Sequence, residues 1–196
     1  MAVVRAATVA DAPALATVAA ATFALACPPH VTQGAIATFI ADVLSVQRFE
    51  EYLGDPSRDL FVAEEEGLVG RDGSVGGRPA AGPVGGLTAA TGYAMLVTAE
   101  PADPDVRAVL QLRPTSELSK IYVLPDQHGA GTSRELMAAA LDAARARGSR
   151  GAWLGVNQLN ERAQRFYAKS GFTRVGTKRF LVGDRYEDDY VFEQAL

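Results

Sequence analysis

Seven residues in the last third of the chain, Gln127-His128-Gly129-Ala130-Gly131-Thr132-Ser133, have the make-up of an anion-binding turn. An apolar run precedes them and a helical pattern follows. Glycine lets a backbone come close to a ligand, and the unpaired N–H groups of a helix's first turn point at negative charge. The helix dipole adds to that preference. A pyrophosphate suits such a place. A P-loop would need a lysine after the glycines, and none is there; a dinucleotide fingerprint would need a third glycine where the chain has Arg134. By themselves Gly129 and Gly131 also fit a tight turn that binds nothing.

Asn160 and Tyr167 lie two helical turns apart, so on a helix they share a face about 10 Å apart along its axis. Each also has a plain structural reading, Asn160 as an N-cap and Tyr167 as a core aromatic. Other reactive side chains are scarce. Cys27 is the only cysteine, and His30 and His128 are the only histidines. No disulfide within the chain and no cysteine-based metal site follows, the histidines match no metal motif, and no metal is expected.

Read with its flanks, the turn resembles the acetyl-CoA-binding motif of the GNAT N-acetyltransferase superfamily. Val123-Leu124-Pro125 matches the motif's Val-x-Pro, and the family then has Gln/Arg-x-x-Gly-x-Gly/Ala. Here His128 stands in the Gln/Arg position, Gly131 matches, and Ser133 takes the final small position. The departures at His128 and Ser133 are tolerable because the N–H groups do the binding. A second block, Asn160-x-x-Ala163-x-x-Phe166-Tyr167-x-x-x-Gly171-Phe172, resembles the family's other cofactor motif. The likeness covers most of the chain and is strongest from Glu117 onward. Arg5-Ala6-Ala7-Thr8-x-x-Asp11 is similar to the family's opening strand and helix, and Phe61-Val62-Ala63-Glu64 with Gly92-Tyr93-Ala94 to its central hairpin. Leu154-Gly155-Val156-Asn157 and the tail from Val175 to Asp189 are similar to the bacterial spermidine/spermine N-acetyltransferase branch. Relative to that branch, residues 67–86 look like an insertion.

The resemblance implies a single α/β domain over residues 1–196, with a mixed, twisted central sheet and helices on both faces. A parallel strand pair, near 118–124 and 152–156, would splay apart to hold acyl-CoA. The pantetheine would lie along the strand Ile121-Tyr122-Val123, pairing with backbone at Ile121 and Val123. The pyrophosphate would sit on His128, Gly129, Ala130, Gly131, Thr132 and Ser133. Asn160 would bond the pantetheine arm, and the Tyr167 hydroxyl would lie near the thioester sulfur.

The implied activity is direct transfer of an acetyl group from acetyl-CoA to a primary amine, of a polyamine or another small amine. A protein or peptide N-acetyltransferase and a non-catalytic acyl-CoA-binding module are the alternatives. Transfer requires the amine to lose a proton and the departing thiolate to gain one. A tyrosine, with a pKa of about 10 against about 8.5 for a thiol, can serve beside the sulfur, which makes Tyr167 the expected acid. Glu117, just before the cofactor strand where family members often carry a carboxylate, is the expected base, through water; it also reads as a solvated strand-end charge. Asn157 would order water or acceptor. Glu50, Glu51, Asp184, Asp188 and Asp189 would form an acidic approach for a polyamine. Cys27 as an acetyl relay competes with its reading as a buried thiol.

These side chains need elements to hold them. Apolar spacing predicts helices over Leu15–Phe23, Ile36–Leu44 and Leu136–Ala144, with a shorter one at Phe49–Leu53 and another capped by Asn160. Thr8 and Asp11 predict a capping box with Asp in place of Glu. Strands are predicted at Val3–Ala6, Leu60–Ala63, Tyr93–Val97, Leu118–Val123, Trp153–Val156, Phe172–Val182 and Asp189–Phe192, with breaks at 100–105 and at Gly183-Asp184. The Gly-rich residues 67–86 have few large side chains and read as a long hairpin connection. A formal net charge of −4 leaves no basic stripe, which argues against nucleic acid as a partner and for a small molecule. No charged residue lies between Asp11 and Asp42, and Ala24-Leu25-Ala26-Cys27 is faintly like a lipoprotein cleavage site. Asp11 is wrong for a signal peptide, and Pro28 and Pro29 come too early for a spanning helix. The expected setting is therefore the cytoplasm, with no membrane partner, and the reading is compatible with a homodimer.

Overall fold

The computed structural model describes residues 2–65, 89–182 and 185–196. The expected insertion at 67–86 and the expected turn at Gly183-Asp184 lie outside them.

Among the described residues, seven strands form one sheet in the order β1-β2-β3-β4-β5-β7-β6. They are β1 (Ala2–Ala6), β2 (Arg58–Glu65), β3 (Ala90–Val97), β4 (Thr115–Val123), β5 (Gly151–Asn157), β6 (Thr173–Val182) and β7 (Arg185–Ala195). Every neighbouring pair is antiparallel except β4 and β5. A parallel pair needs a crossover, and α5 (Thr132–Ala146) supplies it. The Gly-rich turn is the start of that crossover, so it sits at the carboxyl end of β4.

Helices cover both faces. On one, α5 and α6 (Glu161–Lys169) pack over Ala63, Ala94, Leu118, Ala152, Leu154, Val156 and Phe192. On the other, α1 (Ala12–Ala26), α2 (Gln33–Val43) and α3 (Val46–Gly54) bury Leu15, Phe23, Ile36 and Phe49 against Leu60, Val62, Tyr93 and Met95. The expected apolar faces of these helices are the buried ones. The segment Val9–Ala26 is long and apolar enough to cross a membrane by length and composition, so Pro28 and Pro29 do not cut it short as expected. Its Leu15, Val18, Ala19, Thr22 and Phe23 are nonetheless core residues here. At its start the Asp11 carboxylate accepts from the Thr8 amide at 2.7 Å, as the capping pattern predicts. Asp11 also meets the Arg5 guanidinium at 2.7 Å, and Arg5 reaches Glu64, tying β1 to β2 and to the start of α1.

One helix is a correction. Residues 100–105 were expected as a break, but Pro104–Val109 forms α4. Asp103 caps it by accepting from the Asp105 amide at 2.9 Å, and Pro104 takes its first turn, where a missing N–H costs nothing. Val106 and Leu110 pack with Trp153 and Val191. The buried Glu193 carboxylate then accepts from the Gln111 and Leu112 amides at 3.0 and 2.9 Å, fixing the entry to β4.

Candidate active site

The β4–β5 ladder is short. It pairs Thr115 with Gly151, Ser116 with Ala152 and Glu117 with Trp153, and goes no further, although β4 runs on to Val123 and β5 to Asn157. Buried serines lock the closed end, Ser116 to Ser149 at 2.7 Å and Thr98 to Ser116 at 2.8 Å. Just past it, the β3–β4 register steps from Leu96↔Leu118 to Met95↔Lys120, leaving Ser119 as an extra residue. Such a bulge bends its strand and increases its twist. A wedge-shaped gap follows, with Glu117 at its apex and the Gly-rich turn beyond its open end.

The edge of β4 that faces the gap can be identified. The Leu124 amide donates to the Thr91 carbonyl at 2.8 Å, and Tyr93 pairs with Tyr122. Because alternate residues turn their backbone to opposite edges, Tyr122 spends its N–H and C=O on β3 while Ile121 and Val123 turn theirs to the gap. Of the three strand residues expected to meet a cofactor, Ile121 and Val123 are thus placed to do so by backbone. Tyr122 is not, and what it can offer a ligand is its hydroxyl. The His128 ring Nε2 is 3.0 Å from the Val123 carbonyl, so that acceptor is already engaged.

Gly129 and Gly131 both hold positive φ, 93° and 92°. That conformation suits glycine and turns successive amides to one side. Among the described residues, the Gly129, Gly131, Thr132 and Ser133 amides donate to no protein acceptor, whereas Ala130 bonds back to Gln127 at 3.4 Å. The Thr132 hydroxyl is buried and also unpartnered. Four free donors at the start of a fifteen-residue helix make an anion cradle, and they fit the pyrophosphate of a CoA.

Asn160 caps α6, its Oδ1 accepting from the Ala163 amide at 3.1 Å, which leaves its amide nitrogen free to donate to a ligand. Tyr167 stacks among Phe166, Phe172 and Phe192, with centroids 5.5, 6.2 and 6.5 Å away. Its hydroxyl makes no hydrogen bond among the described residues, and burial pushes its pKa up. Ala163, Phe166 and Tyr167 of α6 pack on the cluster that holds Leu154 and Val156 of β5 and Phe192 of β7.

The opposite side of the gap is ionisable. Residues Trp153, Gly155 and Asn157 of β5 face away from α6, as do Glu187, Asp189 and Val191 of β7. Glu117, Lys120 and Tyr122 of β4 share that side, Lys120 over the Tyr52 ring at 5.5 Å. Burial raises the Glu117 carboxyl above its usual range, although the cations Lys178, Lys120 and Arg58 oppose the shift. Burial lowers Lys120 to about 8. Burial lifts Asp189 to about 6, Lys178 opposing, Glu187 and Asp188 adding. Burial also raises Tyr122, with smaller contributions from the charges of Tyr167, Cys27 and Asp189.

Several expected roles do not gather there. Glu50 and Glu51 are exposed on α3, and Glu51 is paired with Arg48. Asp188 faces solvent while its neighbour Asp189 is buried, and Asp184 lies outside the described residues. Burial and Glu187 push the Cys27 thiol up to about 11, in keeping with its reading as a buried thiol. Lys120 and Lys178 were not anticipated. Lys120 stands three residues after Glu117, a spacing that alternation would put on opposite faces; only the bulge at Ser119 puts them on one.

Comparison with known proteins agrees with this geometry. Residues 35–172 match the family described as the Acetyltransferase (GNAT) family. An uncharacterized N-acetyltransferase of Mycobacterium tuberculosis is 42% identical over 186 residues, 95% of this chain and 98% of that one. A phosphinothricin N-acetyltransferase of Streptomyces coelicolor is 38% identical over 85 residues, 42% of this chain and 49% of that one. Among solved structures, the PaiA N-acetyltransferase of Thermoplasma acidophilum in complex with coenzyme A aligns over 100% of this chain and 99% of that one, with a TM-score of 0.70 at 14% identity. The chain belongs to the GNAT family of acetyl-CoA-dependent N-acetyltransferases.

Proposed function

We propose that the chain transfers the acetyl group of acetyl-CoA directly to the primary amine of a small molecule, a class that includes polyamines. The observation that carries the site is the parallel pair that parts after Glu117 and Trp153, with four free amides at the helix start beyond its open end. Ile121 and Val123 bind the pantetheine arm as a neighbouring strand would. Gly129, Gly131, Thr132 and Ser133 hold the pyrophosphate, and the Asn160 amide nitrogen donates to the arm. Acetyl-CoA supplies the thioester.

Glu117 takes a proton from the incoming ammonium, through water. Its raised pKa makes it a better proton acceptor than an ordinary glutamate. Tyr167 protonates or hydrogen-bonds the leaving sulfur from the α6 side. Burial keeps its hydroxyl protonated over the working pH range. The acid and the base are contributed from opposite faces of the sheet, so the two proton movements do not compete for one group. Thiol release from acetyl-CoA tests this with a panel of amino compounds, polyamines and short peptides. Turnover confined to small amines supports it; turnover only with peptides moves the chain to protein or peptide acetylation, and CoA binding without turnover leaves a binding module.

A further inference from the structure

Four ionisable side chains on the acceptor side of the gap lack a hydrogen-bonding or ionic partner among the described residues, although Lys120 lies over the Tyr52 ring at 5.5 Å and Lys178 over the Phe180 ring at 5.3 Å. Glu117, Lys120, Lys178 and Asp189 make no side-chain hydrogen bond and no ion pair among the described residues. Asp189 is only 6% exposed. The other charges on this side are accounted for: Glu187 meets His30 at 2.8 Å, and Arg58 meets Asp55 at 2.9 Å. Burying a charge without a partner is costly, and one such group usually signals something missing from the site. Here the signs alternate across the gap, from Asp189 to Lys178 to Glu117 to Lys120.

Gly155 makes this arrangement possible. A Cβ there would come within 2.5 Å of Lys178 Cε and 3.3 Å of Asp189 Oδ2. Lys178 therefore crosses β7 and lies over the bare backbone of β5, toward the apex where Glu117 sits. Its charge acts on both carboxylates. The same lysine lines a groove of about 500 Å³ beside α4, with Gln158, Arg179 and Asp188.

We propose that the acceptor is an amphoteric small molecule, with one primary amine and one acidic group a few bonds apart as in a free amino acid, its ammonium against Glu117 and its acidic group on Lys178. Such a molecule satisfies both signs at once. A polyamine satisfies only the carboxylates and brings further ammonium groups against Lys178, Lys120 and Arg58, where like charges repel. This deepens the acetyl-transfer reading and rests on it for the identity of the site.

The test compares L-methionine, L-glutamate and L-phenylalanine with their methyl esters and with spermidine, on the whole chain. Acceptor-dependent thiol release is read beside calorimetric binding to the CoA-loaded protein. At least one amino acid is expected to exceed its ester about tenfold or more in kcat/KM, the scale of a lost charged hydrogen bond. Lys178→Met should bring that ratio to within about twofold, mostly through KM, with CoA affinity unchanged. Esters or spermidine matching the amino acids overturns the proposal, as does a ratio that survives in K178M. So does the absence of both binding and turnover with every amino acid. Amino-acid binding that is lost in K178M but gives no thiol release supports the charge arrangement and refutes the transfer reading instead. The acid-to-ester comparison on the unmodified chain stands even if the variant does not fold.

Discussion

Tyr167 and Glu117 stand on opposite faces of one sheet, and their environments push both pKa values upward for the same reason, burial. For the acid this is useful because it stays protonated; for the base it is useful because its proton affinity rises. Tyr167→Phe is expected to lower kcat about a hundredfold, the low end for a lost general acid, and to leave the CoA dissociation constant within about twofold. An unchanged kcat removes Tyr167 from the chemistry. Glu117 acts only when ionised, so kcat/KM should rise with pH through a limb above the ordinary glutamate value of about 4.3. Glu117→Gln should abolish that limb in a pH–rate profile, and its persistence assigns the base elsewhere. Asp189 gives a third residue-scale test. Its folded pKa of about 6 lies above the unfolded value of about 3.9, so its ionised form destabilises the fold, on the order of 3 kcal/mol. That penalty is full above pH 6 and fades as the pH falls toward the unfolded value. Asp189→Asn should therefore raise the melting temperature at pH 7.5 by a few degrees. A melting temperature that falls shows Asp189 to be a structural carboxylate.

At the scale of elements, the site depends on what happens to β4. Pairing ends at Glu117, a bulge follows at Ser119, and Gly92 of β3 lets the far half of the strand come close. A Cβ on Gly92 would lie 2.8 Å from the Tyr122 carbonyl oxygen and 2.9 Å from Val123 Cγ2, with α5's Leu136 behind. Gly92→Ala should cost roughly 1–3 kcal/mol of stability, as overpacking does, and weaken CoA binding by shifting Ile121 and Val123. Thermal unfolding with a CoA titration checks both; a neutral effect refutes the close approach. The motifs were legible because they depend on local chemistry: Gly129 and Gly131 for positive φ, Asn160 for a cap, Thr8 and Asp11 for a capping box. The helix α4 carries a start signal, Asp103 followed by Pro104, but the pair Pro101 and Pro104 and its short length read as a break. The bulge was not legible, since no residue type announces it, and with it went the placement of Lys120 beside Glu117. Lys178 was equally hidden. Its surroundings come from β7, β5 and β4, and only the assembled sheet brings a lysine of β6 over Gly155.

Taken as a whole, the sheet has a fixed half and a divided one. Strands β1 to β4 are held together by α1, α3 and α5 and by the Arg5–Asp11–Glu64 contacts, with Asp11 held well below the usual carboxylate range by the Arg5 guanidinium. Strands β5 to β7 carry Asn157, Lys178 and Asp189. The gap between the halves is where acetyl-CoA must add its own strand-like arm, and binding there should change backbone protection more than side-chain packing. Amide hydrogen exchange, measured with and without CoA, tests this most directly. The account predicts slowed exchange at Ile121, Val123, Gly129, Gly131, Thr132 and Ser133 on saturation, with little change at the Tyr122 amide, which is already committed to β3. Protection elsewhere, with the amides of the turn and of β4 unchanged by saturating CoA, would contradict it.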